Sequence, residues 1–94
     1  MATALRTLQR LPIVTLAPHA TPIDDLVRLR AALGPDAPRL LMKRDDLLSF
    51  GGGGNKVRKM QTVAAAARAA GATVLITCGG VQSNHARVTA AAGA

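Results

Sequence analysis

The sequence predicts an α/β fold: a parallel sheet with crossover helices. Two observations carry that prediction. The order strand, glycine loop, helix occurs twice, first as Leu40-Leu41-Met42, Gly51 to Gly54 and a helix after Lys56, then as Thr73 to Thr77, Gly79-Gly80 and a helix near Asn84. The β-branched run Thr73-Val74-Leu75-Ile76-Thr77 also alternates too little for a solvent-facing edge. Such repetition is the grammar of a sheet whose strands run parallel and whose helices cross over it. In sheets of this kind ligands sit outside the carboxyl ends of the strands. Both glycine loops are therefore expected on the ligand side, with Lys56 and Ser83-Asn84 facing one crevice.

Taken in order, residues 1–20 are expected to form an extended N-terminal arm. Arg6, Arg10 and an acid-free first 23 residues faintly resemble a transit peptide, but Pro12 and Pro18 interrupt an amphipathic helix there. Thr21-Pro22-Ile23-Asp24 has the form of a helix start, with Thr21 as cap and Pro22 in the first turn. Ile23, Leu26, Val27 and Leu33 then share a face until Gly34-Pro35 ends the helix. Leu40-Leu41-Met42 fits a short buried strand that delivers Lys43-Arg44-Asp45-Asp46. Beyond the first glycine loop, Val57, Met60, Val63, Ala64 and Ala67 repeat at helical spacing, and Gly71 is the stop. Residues 86–94 read as a helix still in progress, with no capping pattern. The expectation is an N-terminal portion, 1–94, of a larger catalytic domain whose remainder is absent.

Composition bounds the function classes. A chain of 94 residues with no Trp or Tyr and one Phe has few large side chains for a core, and its 49% hydrophobic content leans on alanine. The net charge of +7 invites a nucleic-acid or anionic-surface reading. Against it, the twelve Lys and Arg residues are spread from Arg6 to Arg87, and stacking aromatics are lacking. The expected partners exclude nucleic acid. Cys78 is the only cysteine, so no internal disulfide can form; a cytoplasmic setting and a buried, inert thiol are expected. No apolar stretch approaches the roughly 20 residues of a membrane span.

The chemistry concentrates in the two loops. Lys56 stands at a helix N-terminus, whose field disfavours an ammonium and favours the free amine needed to attack a carbonyl. The glycines before it can take positive φ and let a flat ligand approach the backbone. A flexible loop and a solvated lysine are the plain alternative. A phosphate-loop signature is broken by Asn55 between the glycines and Lys56 and by Val57 after it. A dinucleotide fingerprint fits neither loop. His19 and His85 are isolated, and one cysteine builds no metal site. The second loop, Gly79 to Arg87, offers backbone N–H groups at a helix start together with Gln82, Ser83, Asn84 and His85, a setting suited to a carboxylate. Ser83 or Asn84 acting only as a helix cap is the competing reading.

The segments KRDD at 43–46, GGNKVRK at 53–59 and TCGGVQSNHAR at 77–87, with PHATPI at 18–23, together resemble the N-terminal part of the pyridoxal-phosphate enzymes that include D-cysteine desulfhydrase and 1-aminocyclopropane-1-carboxylate deaminase. The resemblance covers most of the chain beyond the first ten residues. It implies a tryptophan-synthase-β-like fold of two α/β domains around pyridoxal 5'-phosphate, and a homodimer in the full-length form. Lys56 would be the Schiff-base lysine and the base that moves the substrate α-proton. Gly54, Asn55 and Asn84 would bind the cofactor, with Asn84 at the pyridine 3'-hydroxyl. Ser83 would serve as a nucleophile or carboxylate binder, with Gln82, Asn84 and His85 also at a small amino-acid substrate.

The cofactor's phosphate loop and the residue at its pyridine nitrogen are expected downstream of Ala94. His85 after Ser-Asn resembles the desulfhydrase branch, which implies α,β-elimination of D-cysteine to sulfide, pyruvate and ammonia. The deaminase is the alternative enzyme. Leu47 to Phe50 and the extra Gly51-Gly52 depart from the family's commoner lead-in and leave substrate choice open.

Overall fold

The computed structural model describes residues 2–94. Helix α1, Ala2–Gln9, is made of good helix formers and closes with a turn in which the Arg10 N–H donates to the Thr7 carbonyl at 3.2 Å. The arm expected over 1–20 is therefore helical at first; both prolines lie beyond Gln9 and restrict only the backbone downstream of it. From Leu11 the chain runs extended along a later helix. The Val14 N–H donates to the Gln61 carbonyl at 3.0 Å, and the N–H groups of Leu16 and Ala17 both reach Gln61 Oε1 at 3.1 Å.

The helix start expected at Thr21-Pro22 is corrected. Strand β1, Ile23–Asp25, occupies that place, and helix α2 begins later, over Val27–Leu33, ending at Gly34 with φ 102°. Thr21 does not cap a helix because its hydroxyl is committed elsewhere, donating to Asp45 Oδ1 and accepting from Arg58 Nη2, both at 3.0 Å. Strand β2, Leu41–Lys43, pairs with β1 in antiparallel register, Ile23 opposite Lys43 and Asp25 opposite Leu41. Leu41 and Met42, expected buried, are half exposed.

The expected parallel sheet is likewise corrected: among the described residues the sheet is this two-stranded antiparallel pair, and residues 73–77 form no strand. A strand needs a neighbour to take its N–H and C=O groups, and β1–β2 pair with each other instead. The run keeps its β-branched character but is open to solvent, with Val74 70% and Ile76 93% exposed. Cys78, at its end, is exposed rather than buried for the same reason.

Helix α3, Lys56–Ala69, forms where its apolar spacing predicts and stops at Gly71 with φ 69°. Its buried residues Val57, Met60 and Ala64 face helix α4, Asn84–Gly93, which contributes Val88 and Thr89. Val63, expected on the buried face, is exposed because it lies to the side of the face that packs on α4. Leu48, Val57, Met60 and Val88 form the core, with Leu16, Ala17, Phe50 and Ala92 against it. Each fully buried Val or Met side chain contributes about 1.5–3 kcal/mol. This small core seats α4 against both α3 and the loop that precedes α3, which fixes the position of the two glycine loops.

Candidate functional site

The first loop descends from the charged segment after β2. A short 3₁₀ turn at Asp45–Leu47 and a second at Phe50–Gly52 fold the chain back on itself. Gly51, Gly52, Gly53 and Gly54 then take φ values of 56°, 79°, 80° and 95°. At Gly53 close approach adds to the left-handed conformation: a Cβ would lie 2.7 Å from the backbone oxygens of both Asp46 and Leu48. The Gly53 N–H donates to the Phe50 carbonyl at 2.9 Å and the Gly54 N–H to the Asp45 carbonyl at 2.8 Å.

The loop feeds directly into α3, so Lys56 occupies its first position, half-buried, and Asn55 precedes it as an exposed residue whose side chain makes no capping bond. The amine stands at the positive end of the α3 dipole, and among the described residues it has no hydrogen-bond or ion-pair partner.

Asp45 ties this loop to both sides. While its carbonyl holds Gly54, its carboxylate accepts from Arg58 Nε at 2.8 Å and Nη2 at 2.7 Å, and from the Thr21 hydroxyl at 3.0 Å. The Arg58 bonds above all, with help from Thr21, hold the Asp45 carboxyl at about 2, below its ordinary 3.8. Arg58 is raised in return. Beside it, Arg44 pairs with Asp46 and Asp24, and Arg39 pairs with Asp25. The KRDD segment is thus a framework of ion pairs under the loop rather than a source of free carboxylates.

The second loop ends where Ser83, extended at φ −67° and ψ 114°, caps α4: its Oγ accepts from the Ala86 N–H at 3.2 Å. Gly79 admits that hydroxyl, since a Cβ there would meet Ser83 Oγ at 2.6 Å. Gln82 and Asn84 are exposed, and His85 is half-buried with its Nδ1 enclosed and unpartnered. A buried polar atom without a partner forfeits hydrogen-bond energy, so this nitrogen retains capacity for a ligand.

Of the residues singled out from sequence, Gly54, Asn55 and Lys56 are consecutive at the start of α3, and Gln82 to His85 surround the start of α4. Arg87 joins the groups. Its Nη1 donates to the Gly51 carbonyl, and its Nη2 donates to the Gly53 carbonyl at 3.3 Å and to Asn84 Oδ1 at 3.0 Å. No hydrogen bond among the described residues links Lys56 directly to Gln82, Ser83 or Asn84. Arg87 and the Asp45–Arg58 pair were not assigned roles from sequence; the three-residue spacing of Asn84 and Arg87, which places them together on one helical face, is the signal that finds the first.

A large concavity, about 960 Å³, lies elsewhere. It is bordered by residues 72–77, Leu16, Ala64 and Ala90 and is mostly apolar. It marks the open side of the unpaired 73–77 segment and carries none of the candidate site residues. Among the described residues no group of three or more His, Cys, Asp or Glu is placed to hold a metal, and no helix is long and apolar enough to cross a membrane.

No protein-family model matches the chain. Individual relatives do. A Pyrococcus abyssi protein provisionally named 1-aminocyclopropane-1-carboxylate deaminase is 47% identical over 85 residues, 90% of this chain and 25% of the relative. A D-cysteine desulfhydrase of Klebsiella pneumoniae is 44% identical over 91 residues, 97% of this chain and 27% of the relative. A crystal structure of an ACC deaminase homologue superposes with a TM-score of 0.79 at 41% identity, covering 90% of this chain and 25% of that one. The chain therefore spans about a quarter of the length of the relatives it matches.

Proposed function

From a chain homologous over most of its length to D-cysteine desulfhydrases and 1-aminocyclopropane-1-carboxylate deaminases, we propose that it supplies the lysine-bearing part of a pyridoxal-phosphate-dependent lyase. The observation that carries this reading is Lys56 at the head of α3, behind a loop of four left-handed glycines that Arg87 ties to Asn84 at the head of α4. The full protein acts on a small amino acid, as a homodimer in the cytoplasm.

The residues present fit the cofactor. Lys56, half-buried at a helix start, suits a covalent attachment point, Asn55 leaves an uncommitted side-chain amide beside it, and the unpartnered His85 Nδ1 leaves a polar atom for a ligand. Pyridoxal phosphate, when bound, supplies the electron sink that lets an amino acid lose its α-proton. Lys56 holds the cofactor and moves that proton. Asn84 orients the ring through the 3'-oxygen. Ser83, with the N–H groups at the start of α4, receives the substrate carboxylate, and its hydroxyl can leave the capping bond to do so. Gln82 and His85 border the substrate.

The leading substrate is D-cysteine, cleaved with water to pyruvate, sulfide and ammonia. The deaminase is the second reading, favoured by the Pyrococcus relative and the crystal structure. Identities of 47% and 44% are too close to rank the two branches; His85 is the residue that favours the desulfhydrase. A chimera in which this chain replaces the matching segment of the Klebsiella enzyme tests the proposal. Sulfide release from D-cysteine exceeding ammonia release from the cyclopropane substrate supports the first branch, the reverse ratio supports the second, and no turnover of either by a chimera that binds cofactor refutes both.

A further inference from the structure

Arg87 lies outside the residues assigned to chemistry, yet its exposed guanidinium engages both loops at once, on the carbonyls of Gly51 and Gly53 and on the side chain of Asn84. Its chemistry leaves no ambiguity in the amide. A guanidinium carries five donors and no acceptor, so the Asn84 atom facing it at 3.0 Å is the carbonyl oxygen Oδ1, an amide orientation that the donor dictates. With Oδ1 engaged, Asn84 presents Nδ2, a group that only donates, and no hydrogen bond among the described residues engages it. A positive charge behind the oxygen also polarises the amide and strengthens that donor. A ligand atom that meets this Nδ2 must be an acceptor, and best an oxyanion.

The other half of the same guanidinium grips the glycine loop. Gly52 makes room for it, since a Cβ there would overlap Arg87, and the two carbonyls it holds lie only a few residues before Lys56. We propose that Arg87 is a positioning residue: it fixes the Asn84 amide as a donor toward an ionised ring oxygen and locks that amide to the loop that presents Lys56. The inference rests on the cofactor reading above and adds to it the ionisation state of the atom at Asn84. Two variants separate this role from simple packing. Arg87→Lys keeps the stem and the charge but loses the fork that spans both partners, while Arg87→Met removes the charge as well.

The test uses the same chimera with the Klebsiella enzyme, loaded with pyridoxal phosphate. Three quantities are read: cofactor affinity, the share of bound cofactor whose ring oxygen is ionised, from its visible absorption at a fixed pH, and hydrogen exchange of the Gly51 to Gly54 amides without cofactor. Both variants should weaken affinity by about tenfold or more, the effect of losing a bond to a charged group, and lower the ionised share. Loop exchange should quicken. Asn84→Ala should add little in the Arg87→Met background, since its amide would no longer be held.

An unchanged ionised share in both variants, or full additivity with Asn84→Ala, overturns the proposal and leaves Arg87 a structural strut. Failure of the cofactor reading is distinct: the parent chimera would then carry no pyridoxyl group on Lys56 after borohydride reduction, whatever the Arg87 variants do.

Discussion

Replacing Gly53 by alanine should damage the protein far more than the same change one residue later. Gly53 has φ 80° and ψ −171°, a region that is essentially glycine's alone, and holding another residue there costs about 1–3 kcal/mol. Its Cβ would also stand 2.7 Å from two backbone oxygens, those of Asp46 and Leu48. Neither can swing aside as a side-chain tip would, so the turn must open. Opening strains the Gly54 N–H bond to Asp45, worth about 0.5–1.5 kcal/mol. Together the loss is about 2–4 kcal/mol.

Gly54 shares the left-handed φ, 95°, but nothing lies within 4 Å of its Cβ position. Gly54→Ala therefore incurs conformational strain alone, about 1–2 kcal/mol. Urea unfolding of the chimera carrying each variant measures the contrast, provided the slopes with denaturant match. Cofactor affinity should also drop further for Gly53→Ala than for Gly54→Ala, since Lys56 follows the loop. Equal destabilisation by the two variants, or a Gly53→Ala protein as stable as its parent, would refute the account of this loop as a packed turn.

In the chimera, Asn84→Ala should weaken cofactor binding while Ser83→Ala mainly lowers turnover. Each loses about 1.5–3 kcal/mol where the lost partner is charged, which is tenfold or more in the corresponding constant; full activity in both would leave the second loop a helix cap and no more. Asp45 gives a pH prediction. Its folded carboxyl titrates at about 2 against an ordinary 3.8, so its contribution to stability is complete above the ordinary value and is lost as pH falls through about 2. The stability gap between the parent and Asp45→Asn should thus be constant above about pH 5 and narrow as pH falls from about 4 toward 2; a gap that stays flat through that window contradicts the Asp45–Arg58 clamp.

The two helices that carry the site were legible because their signals are local. Val57, Met60 and Ala64 recur at the helical period and are the residues α3 buries, and Ser83 had the chemistry of the cap it proves to be. The strands were less legible because strand identity depends on neighbours. Thr73 to Thr77 has the composition of a central strand, but the nearest sheet pairs with itself, and the segment stays open. Thr21-Pro22 carried a helix-start pattern overridden by distance: Asp45 and Arg58, far along the chain, take the hydroxyl that would have capped it. The same long range hid the Arg87 bridge, whose partners Gly51 and Gly53 are 36 and 34 residues away. Spacing could place Arg87 beside Asn84 but could not reveal that the glycine carbonyls turn toward it.

Everything proposed for the site turns on Lys56 being the amine that holds the cofactor. Borohydride reduction of the pyridoxal-phosphate-loaded chimera, followed by proteolysis and peptide mapping, tests it directly. A single pyridoxyl group is expected on Lys56, lost in Lys56→Arg. A pyridoxyl group on Lys43 or Lys59 instead, or undiminished labelling of the Lys56→Arg protein, would contradict it.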